Sequence, residues 1–229
     1  MSMADKGNIS STIARSARKT DSDVVEKLRA FGVSTVYEAQ GGIGLMKPHL
    51  RPIYHGPAIA GPAVTVSCAT GDNLMVHAGL DICQPGDVLV VSTTSDSDHG
   101  MFGGLLGLSS QLRGVVALII DAGVRDVPDL RAMQFPVWAK LISAKGTTKN
   151  GPGSVNVPIQ CAGVYVHPGG IIVADPDGVV VVSAESAESV ANSARGRHEH
   201  EQRVRERLKR GESTLDILGL RARLDEFEA

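Results

Sequence analysis

Two stretches of this chain have residue types and spacing suited to chemistry. One is the glycine-rich run HGMFGGLLG that begins at His99, and the other is the adjacent pair Arg125–Asp126, with 20 residues between Gly104 and Arg125. The intervening text predicts a turn, a short helix over residues 105–112, an apolar strand over 115–120 and a polar turn that carries the pair. A right-handed crossover returns the chain in parallel, so the helix start and the strand end meet at one edge of a βαβ unit. The backbone N–H groups of Gly103, Gly104, Leu105 and Leu106 lack intrahelical acceptors and suit a carboxylate or phosphate. Arg125 offers a planar bidentate fork, and Asp126 offers oxygens to a hard divalent cation. This equipment suits a small anionic substrate and a metal ion.

Other chemistries find less support. A Schiff-base mechanism needs a lysine of depressed pKa in a closed pocket, whereas Lys140 and Lys145 fall in or beside an expected strand. Neither the nucleotide-binding string G-x-G-x-x-G nor the nucleophile-elbow string G-x-S-x-G occurs. The three cysteines, Cys68, Cys83 and Cys161, are far apart in apolar surroundings. They read as buried thiols of a reducing cytoplasm.

The Gly104–Arg125–Asp126 spacing within GGLLGLSSQLRGVVALIIDAGVRDVPDL resembles the signature of class II pyruvate aldolases that cleave 4-hydroxy-4-methyl-2-oxoglutarate and 4-carboxy-4-hydroxy-2-oxoadipate. A regulator of ribonuclease E belongs to the same superfamily. Further matching stretches are GVSTVYEAQ, GDNLMVHAGLDICQPGDVLVV and PVWAKLISAKGTTKNGPGSVNVPIQCAGVYVHPGGIIVADPDGVVVV, so the likeness runs over roughly residues 24–220. It implies an α/β fold, a swivelling β/β/α domain with stacked sheets and a C-terminal helical extension. It also implies a Mg²⁺ or Mn²⁺ ion held by Asp126, Arg125 as a catalytic residue, and a 2-oxo acid as substrate. The implied assembly is a homotrimer, with pairing of trimers left open, in which a neighbour's C-terminal helix brings in a glutamate that aligns with Glu201. The sequence departs from the resemblance at Gly104, where many of these aldolases carry an acidic residue that orients metal-bound water. Asp96, Asp98 and a neighbour's Glu201 are the candidate replacements.

The rest of the chain must position these groups. At 229 residues, 42% hydrophobic and 21% charged, it has the composition of a globular chain able to bury a sizeable core. A net charge of −2 gives no nucleic-acid footprint, and no apolar run is long enough to span a membrane. The organisation expected is a flexible segment 1–22, a β/β/α domain 23–184 and a helical extension 185–229. Asp21 or Ser22 caps a first helix that stops at Gly32, and Ser34 caps a second one ending at Gly41–Gly42. On that second helix Glu38 and Gln40 read as solvated. From Pro57 onward short Val/Ile-rich strands alternate with helices over about 73–82, 105–112 and 128–133. Continuous apolar runs imply sheets covered on both faces.

The last helix, about 185–209 with Gly211 as its stop, has a thin apolar stripe that calls for a partner surface. His198, Glu199, His200 and Glu201 resemble a metal cluster, but on a helix only His198 and Glu201 share a face.

Overall fold

The structure, a computed structural model, describes residues 11–14, 20–54 and 56–227. The first half of the chain forms β1 (Thr12–Ile13), α1 (Ser22–Ala39), β2 (Arg51–Pro52), β3 (Ile59–Cys68), α2 (Leu74–Ile82), β4 (Val88–Thr93), β5 (Gly100–Phe102) and α3 (Gly104–Leu112). Then come β6 (Ala117–Val124), α4 (Val127–Ala132), β7 (Val137–Ile142), β8 (Gly153–Val155), β9 (Ile159–Cys161) and β10 (Val164–Val166). The chain closes with β11 (Ile171–Asp175), β12 (Gly178–Val182), α5 (Ala187–Lys209), α6 (Thr214–Ile217) and α7 (Arg221–Asp225). The fold is mixed α/β, as expected, with sheets stacked on one another and a C-terminal helical extension. Most of segment 1–22 lies outside the described residues, although Thr12 and Ile13 pair in parallel with Ser154 and Val155.

The main sheet runs β1-β8-β3-β4-β6-β7-β2. Its central strands alternate strictly. Leu89, Val91, Leu118 and Ile120 face a core under α2 and α3, while Val88, Val90, Ala117 and Ile119 face a second core with Trp138 and the β9–β10 hairpin. That two-sided burial is why these strands read as unbroken Val/Ile runs. β3 serves three partners, and on one side its last residues, Val66, Ser67 and Cys68, pair antiparallel with β8. Its first residues, through Pro62, pair antiparallel with β11, and from Ala63 onward it pairs in parallel with β4. The change falls beside a residue with no N–H to give. The β11–β12 ribbon carries a third core, closed by α1 and α5.

The structure corrects several expectations. α1 is two helices joined at a kink, Gly32 (φ 77°, ψ 172°), so the expected stop at Gly32 is present and the expected cap of the second helix is what changes. Asp21 does cap its start, accepting from the Asp23 N–H at 2.9 Å. Ser34, in contrast, donates to Asp177, and the cap after the break comes from a residue distant in sequence: Asp175 Oδ2 accepts the Val33 N–H at 2.8 Å. The strand expected at 115–120 is β6, shifted to Ala117–Val124. Val115 is buried but ends a turn, so burial there is not ladder pairing. The supposed polar turn Asp121–Val124 stays in the sheet because Gly123 lets β5 lie alongside. A Cβ at Gly123 would sit 2.6 Å from the His99 carbonyl oxygen.

α5 begins at Ala187 and, over its first turns, finds its partner within its own chain. Ala187, Val190 and Ala191 are buried in the third core, and Ala194 is buried one turn further on. The stripe is thin because it is largely alanine, and short side chains allow close helix packing. Beyond Ala194 no residue of α5 is buried.

Asp175 joins three elements. Its other carboxylate oxygen accepts the Asp177 N–H at 2.8 Å, and its backbone carbonyl accepts Trp138 Nε1 at 3.0 Å. Asp175→Ala is expected to lower the unfolding free energy by about 1–2 kcal/mol. Asp175→Asn, which keeps an acceptor, should lower it by less. Urea titrations with an unchanged m-value check this, and an alanine variant as stable as the parent would remove the cap from the account.

Candidate functional site

The parallel pair β5–β6 brings the glycine turn and the Arg–Asp pair together. Gly100 stands opposite Gly123 and Phe102 opposite Val124. The Arg125 N–H donates to the Phe102 carbonyl at 2.8 Å, and the Gly104 N–H donates to Asp126 Oδ2 at 3.1 Å. Glycine is needed on this turn. A Cβ at Gly103 would lie 2.4 Å from Asp126 Oδ2 and 3.0 Å from Arg125 Cγ. Asp126 itself takes the left-handed conformation (φ 54°), which Asp tolerates better than most residues, and its carbonyl accepts the Asp129 and Leu130 N–H groups that start α4.

The structure therefore brings together Gly103, Gly104, Leu105, Leu106, Arg125 and Asp126, with one change to the expected anion cradle. The Gly104 N–H is already occupied by Asp126, so the amides of the first turn of α3 left without an intrahelical acceptor are those of Leu105 and Leu106. Arg125 Nε stands 3.6 Å from Asp126 Oδ2, and both side chains are nearly half exposed (47% and 43%). Their contact is long and solvated, and the guanidinium fork is open to a ligand.

Asp129 is the residue that sequence reasoning missed. A Cβ at Gly104 would lie only 2.9 Å from Asp129 Oδ2, so this carboxylate occupies the direction that an acidic side chain at position 104 would take. Its signal was the i, i+3 spacing from Asp126 at the start of a helix. Among the described residues no group of three or more His, Cys, Asp or Glu side chains is assembled to hold a metal. The donor set on this turn is two carboxylates, which fits a hard cation that keeps several waters.

Asp96 and Asp98, considered as replacement carboxylates, are engaged elsewhere. Asp96 pairs with Lys140, and Asp98 pairs with Lys145 at 2.8 Å and with His99 Nδ1 at 3.3 Å. Hydrogen bonds from the two lysines hold both carboxyls below their ordinary range. Behind the turn, Asn73 Nδ2 donates to the Met101 carbonyl at 2.9 Å and fixes β5. Asp72 clamps the loop after β7, accepting Thr148 Oγ1 and the Asn150 N–H at 2.7 Å each. Burial opposes its charge, but these bonds and the Leu74 N–H outweigh burial and lower its pKa. A notch of about 250 Å³ between α2 and α3 is lined by His77, Leu80, Asp81, Leu105, Leu106 and neighbouring residues. Burial, and then Lys149, lower the pKa of His77 there.

Glu201 is not part of this constellation within the chain. It lies on α5, between Arg197 and Arg205 at 3.4 Å each. Arg197 in turn pairs with Glu38 on α1, and the His198 ring packs 5.8 Å from that of Phe31. Gln40 also has a structural role, donating to the Ile43 and Val181 carbonyls.

Known proteins resemble this chain in sequence and in fold. A protein of Halalkalibacterium halodurans named "Putative 4-hydroxy-4-methyl-2-oxoglutarate aldolase" is 30% identical over 206 residues, which is 90% of this chain and 95% of that protein. A protein of Burkholderia multivorans with the same name is 34% identical over 143 residues, covering 62% of this chain and 87% of its own. Among solved structures, Streptomyces coelicolor RraAS2, described as an unusual member of the RNase ES inhibitor RraA protein family, superposes with a TM-score of 0.73 at 27% identity. That match covers 82% of this chain and 98% of RraAS2. Residues 22–181 match the family described as RraA-like, Aldolase/RraA, and the chain belongs to that family.

Proposed function

We propose that this protein is a divalent-metal-dependent lyase that cleaves a 4-hydroxy-2-oxo dicarboxylic or tricarboxylic acid to pyruvate and a second 2-oxo acid, with oxaloacetate decarboxylation as a second activity. The observation that carries the reading is the convergence of Arg125, Asp126, Asp129 and the start of α3 on one turn. The names of the aldolase relatives support it. The reducing-compartment reading of the cysteines, all three of them free and buried, supports a cytoplasmic location, and among the described residues no helix is long and apolar enough to cross a membrane.

Asp126, assisted by Asp129, would hold Mg²⁺ or Mn²⁺, because Gly103 leaves the space and the two carboxylates supply the charge. Bound there, the ion supplies Lewis acidity toward the 2-oxo group and lowers the pKa of a coordinated water. The chain does the rest. The amides of Leu105 and Leu106, at the positive end of α3, take the substrate's 1-carboxylate. As the 4-hydroxyl proton passes to a water of the site, cleavage of the C3–C4 bond leaves its electron pair on the pyruvate enolate, Arg125 donates two hydrogen bonds to the developing oxyanion, and the enolate then takes a proton from solvent at C3 to give pyruvate. Loss of CO₂ from oxaloacetate passes through the same enolate, so the same residues serve both reactions.

The assembly we propose is a homotrimer, with pairing of trimers open, in which the distal half of α5 carries Glu201 to a neighbour's turn as a further catalytic residue. The absence of burial beyond Ala194 and the exposure of Leu208, Leu218, Leu224 and Phe227 support this. No nucleic-acid or membrane partner is proposed. A second reading, a non-catalytic regulator of the ribonuclease E type, is favoured by the likeness to RraAS2. Against it, such a regulator has no chemical need for Arg125 and two carboxylates above free amides.

Pyruvate release from 4-hydroxy-4-methyl-2-oxoglutarate, with and without EDTA, decides between the two readings. Release should vanish in chelator and return with Mg²⁺ or Mn²⁺, and Asp129→Ala should raise the metal concentration needed for half-maximal rate. Full activity in EDTA would sink the metal reading, and no release at saturating metal would favour the regulator. Arg125→Lys keeps the charge but loses the fork, so turnover should fall by about 10²–10³, nearly as far as in Arg125→Ala. Near-normal turnover would return Arg125 to the class of surface ion pairs. Truncation from Arg195 onward should cost both assembly, read by light scattering, and activity. A truncated monomer that still cleaves substrate would refute the shared site.

A further inference from the structure

Lys145 lies in the loop after β7, and its backbone is fixed at both ends of the peptide unit. Its N–H donates to Ser143 Oγ at 3.2 Å, and its carbonyl accepts the Gly100 N–H at 2.8 Å. Gly100 is packed against the stem of Arg125, since a Cβ added there would lie 3.1 Å from Arg125 Cβ. The backbone of Lys145 and the stem of Arg125 thus both adjoin Gly100, on the loop after β7 and at the end of β6. The Lys145 side chain is 53% exposed, and its partner Asp98 is 70% exposed. An ion pair as open as this contributes little to stability and exchanges its anion readily.

We propose that Lys145 reads the distal carboxylate of the substrate, and that Asp98 is the stand-in anion it releases when substrate binds. This rests on the lyase reading, since it supplies the cation that a dicarboxylic 2-oxo acid needs beyond Arg125 and the α3 amides. A 2-oxo acid with one carboxylate is satisfied by the turn alone. A second carboxylate needs a cation further along, on a long and adaptable stem, and Lys145 is placed and exposed for that. Lys140 is a built-in comparison. It also pairs with an aspartate of the same loop, Asp96, but it lies within β7 and is only 26% exposed.

Calorimetry of the full-length protein with Mg²⁺ tests the assignment without turnover, using 2-oxoglutarate and 2-oxopentanoate, which match in chain length and differ in the distal carboxylate. The parent should bind 2-oxoglutarate about tenfold or more tightly over 2-oxopentanoate, the scale of one charge-assisted hydrogen bond. Lys145→Met should remove that preference and leave 2-oxopentanoate binding unchanged. Lys140→Met should leave the preference within about twofold, and Asp98→Asn, which frees the ammonium, should keep or widen it. The proposal is overturned if the parent shows no preference, if Lys145→Met retains it, or if Lys140→Met removes it equally. Pyruvate release is measured separately on the same preparations. Failure of release with a Lys145-dependent preference would refute the lyase reading alone, and release with a Lys145-independent preference would refute the carboxylate assignment alone.

Discussion

The hydrogen bond from the Arg125 amide to the Phe102 carbonyl is the joint on which the carboxyl edge of the sheet depends. It exists because β5 lies against the last residues of β6, an approach that side chains at Gly100, Gly103 or Gly123 would block. With the joint made, the chain leaves β5 into α3 and leaves β6 into α4 at the same place. The two helix starts then share one residue: Asp126 accepts an amide of α3 with its side chain and starts α4 with its backbone carbonyl. Arg125 owes its position to the same junction, flanked by Gly100 and Gly103, and needs no buried ion pair to hold it.

The edge is also electrostatically segregated. Carboxylates cluster at the positive end of α3, where the helix field favours them. Lys140 of β7 and Lys145 of the loop after it are neutralised by the aspartates of the loop before β5. An anionic ligand entering here meets cations that already have exchangeable partners, which keeps the empty edge from carrying a large uncompensated positive field.

Much of this was legible in the sequence. Helix starts with a local cap, such as Asp21, and strands covered on both faces, such as β4 and β6, announce themselves through side chains near in sequence. The meeting of the glycine turn with Arg125–Asp126 followed from the handedness of the crossover. Features set by distant residues were not legible. The cap after Gly32 is Asp175, 142 residues away from Val33. Strand β5 looked like a turn because Gly100 within it and Gly103 just after it mark close backbone approach, which the text alone cannot distinguish from flexibility. Asp129 escaped because its role is defined by the space above Gly104, and the packing of α5 was underestimated because alanine counts little in an apolar stripe. The structure gives Glu201 only partners within its own chain, so its proposed role depends on a second copy.

The third core has a consequence for how the molecule is made. Its sheet ribbon, β11–β12, is covered on one side by α1 from the start of the chain and on the same side by the first turns of α5, with Ala187, Val190 and Ala191 completing the layer. During vectorial synthesis α1 emerges well before the ribbon, and apart from Ala60 of β3 the sheet residues it covers are made only about 130 residues later. A nascent chain that has passed β12 but not Ala194 holds a sheet with Ile171, Val173, Val180 and Val182 only partly roofed. Because β3 pairs with both β11 and β4, an unfinished roof leaves the far end of the same strand that supports the functional edge without its final lateral support. Until α5 has been translated this face of the ribbon stays partly open, and exposed apolar surface of that kind in an unfinished chain favours aggregation.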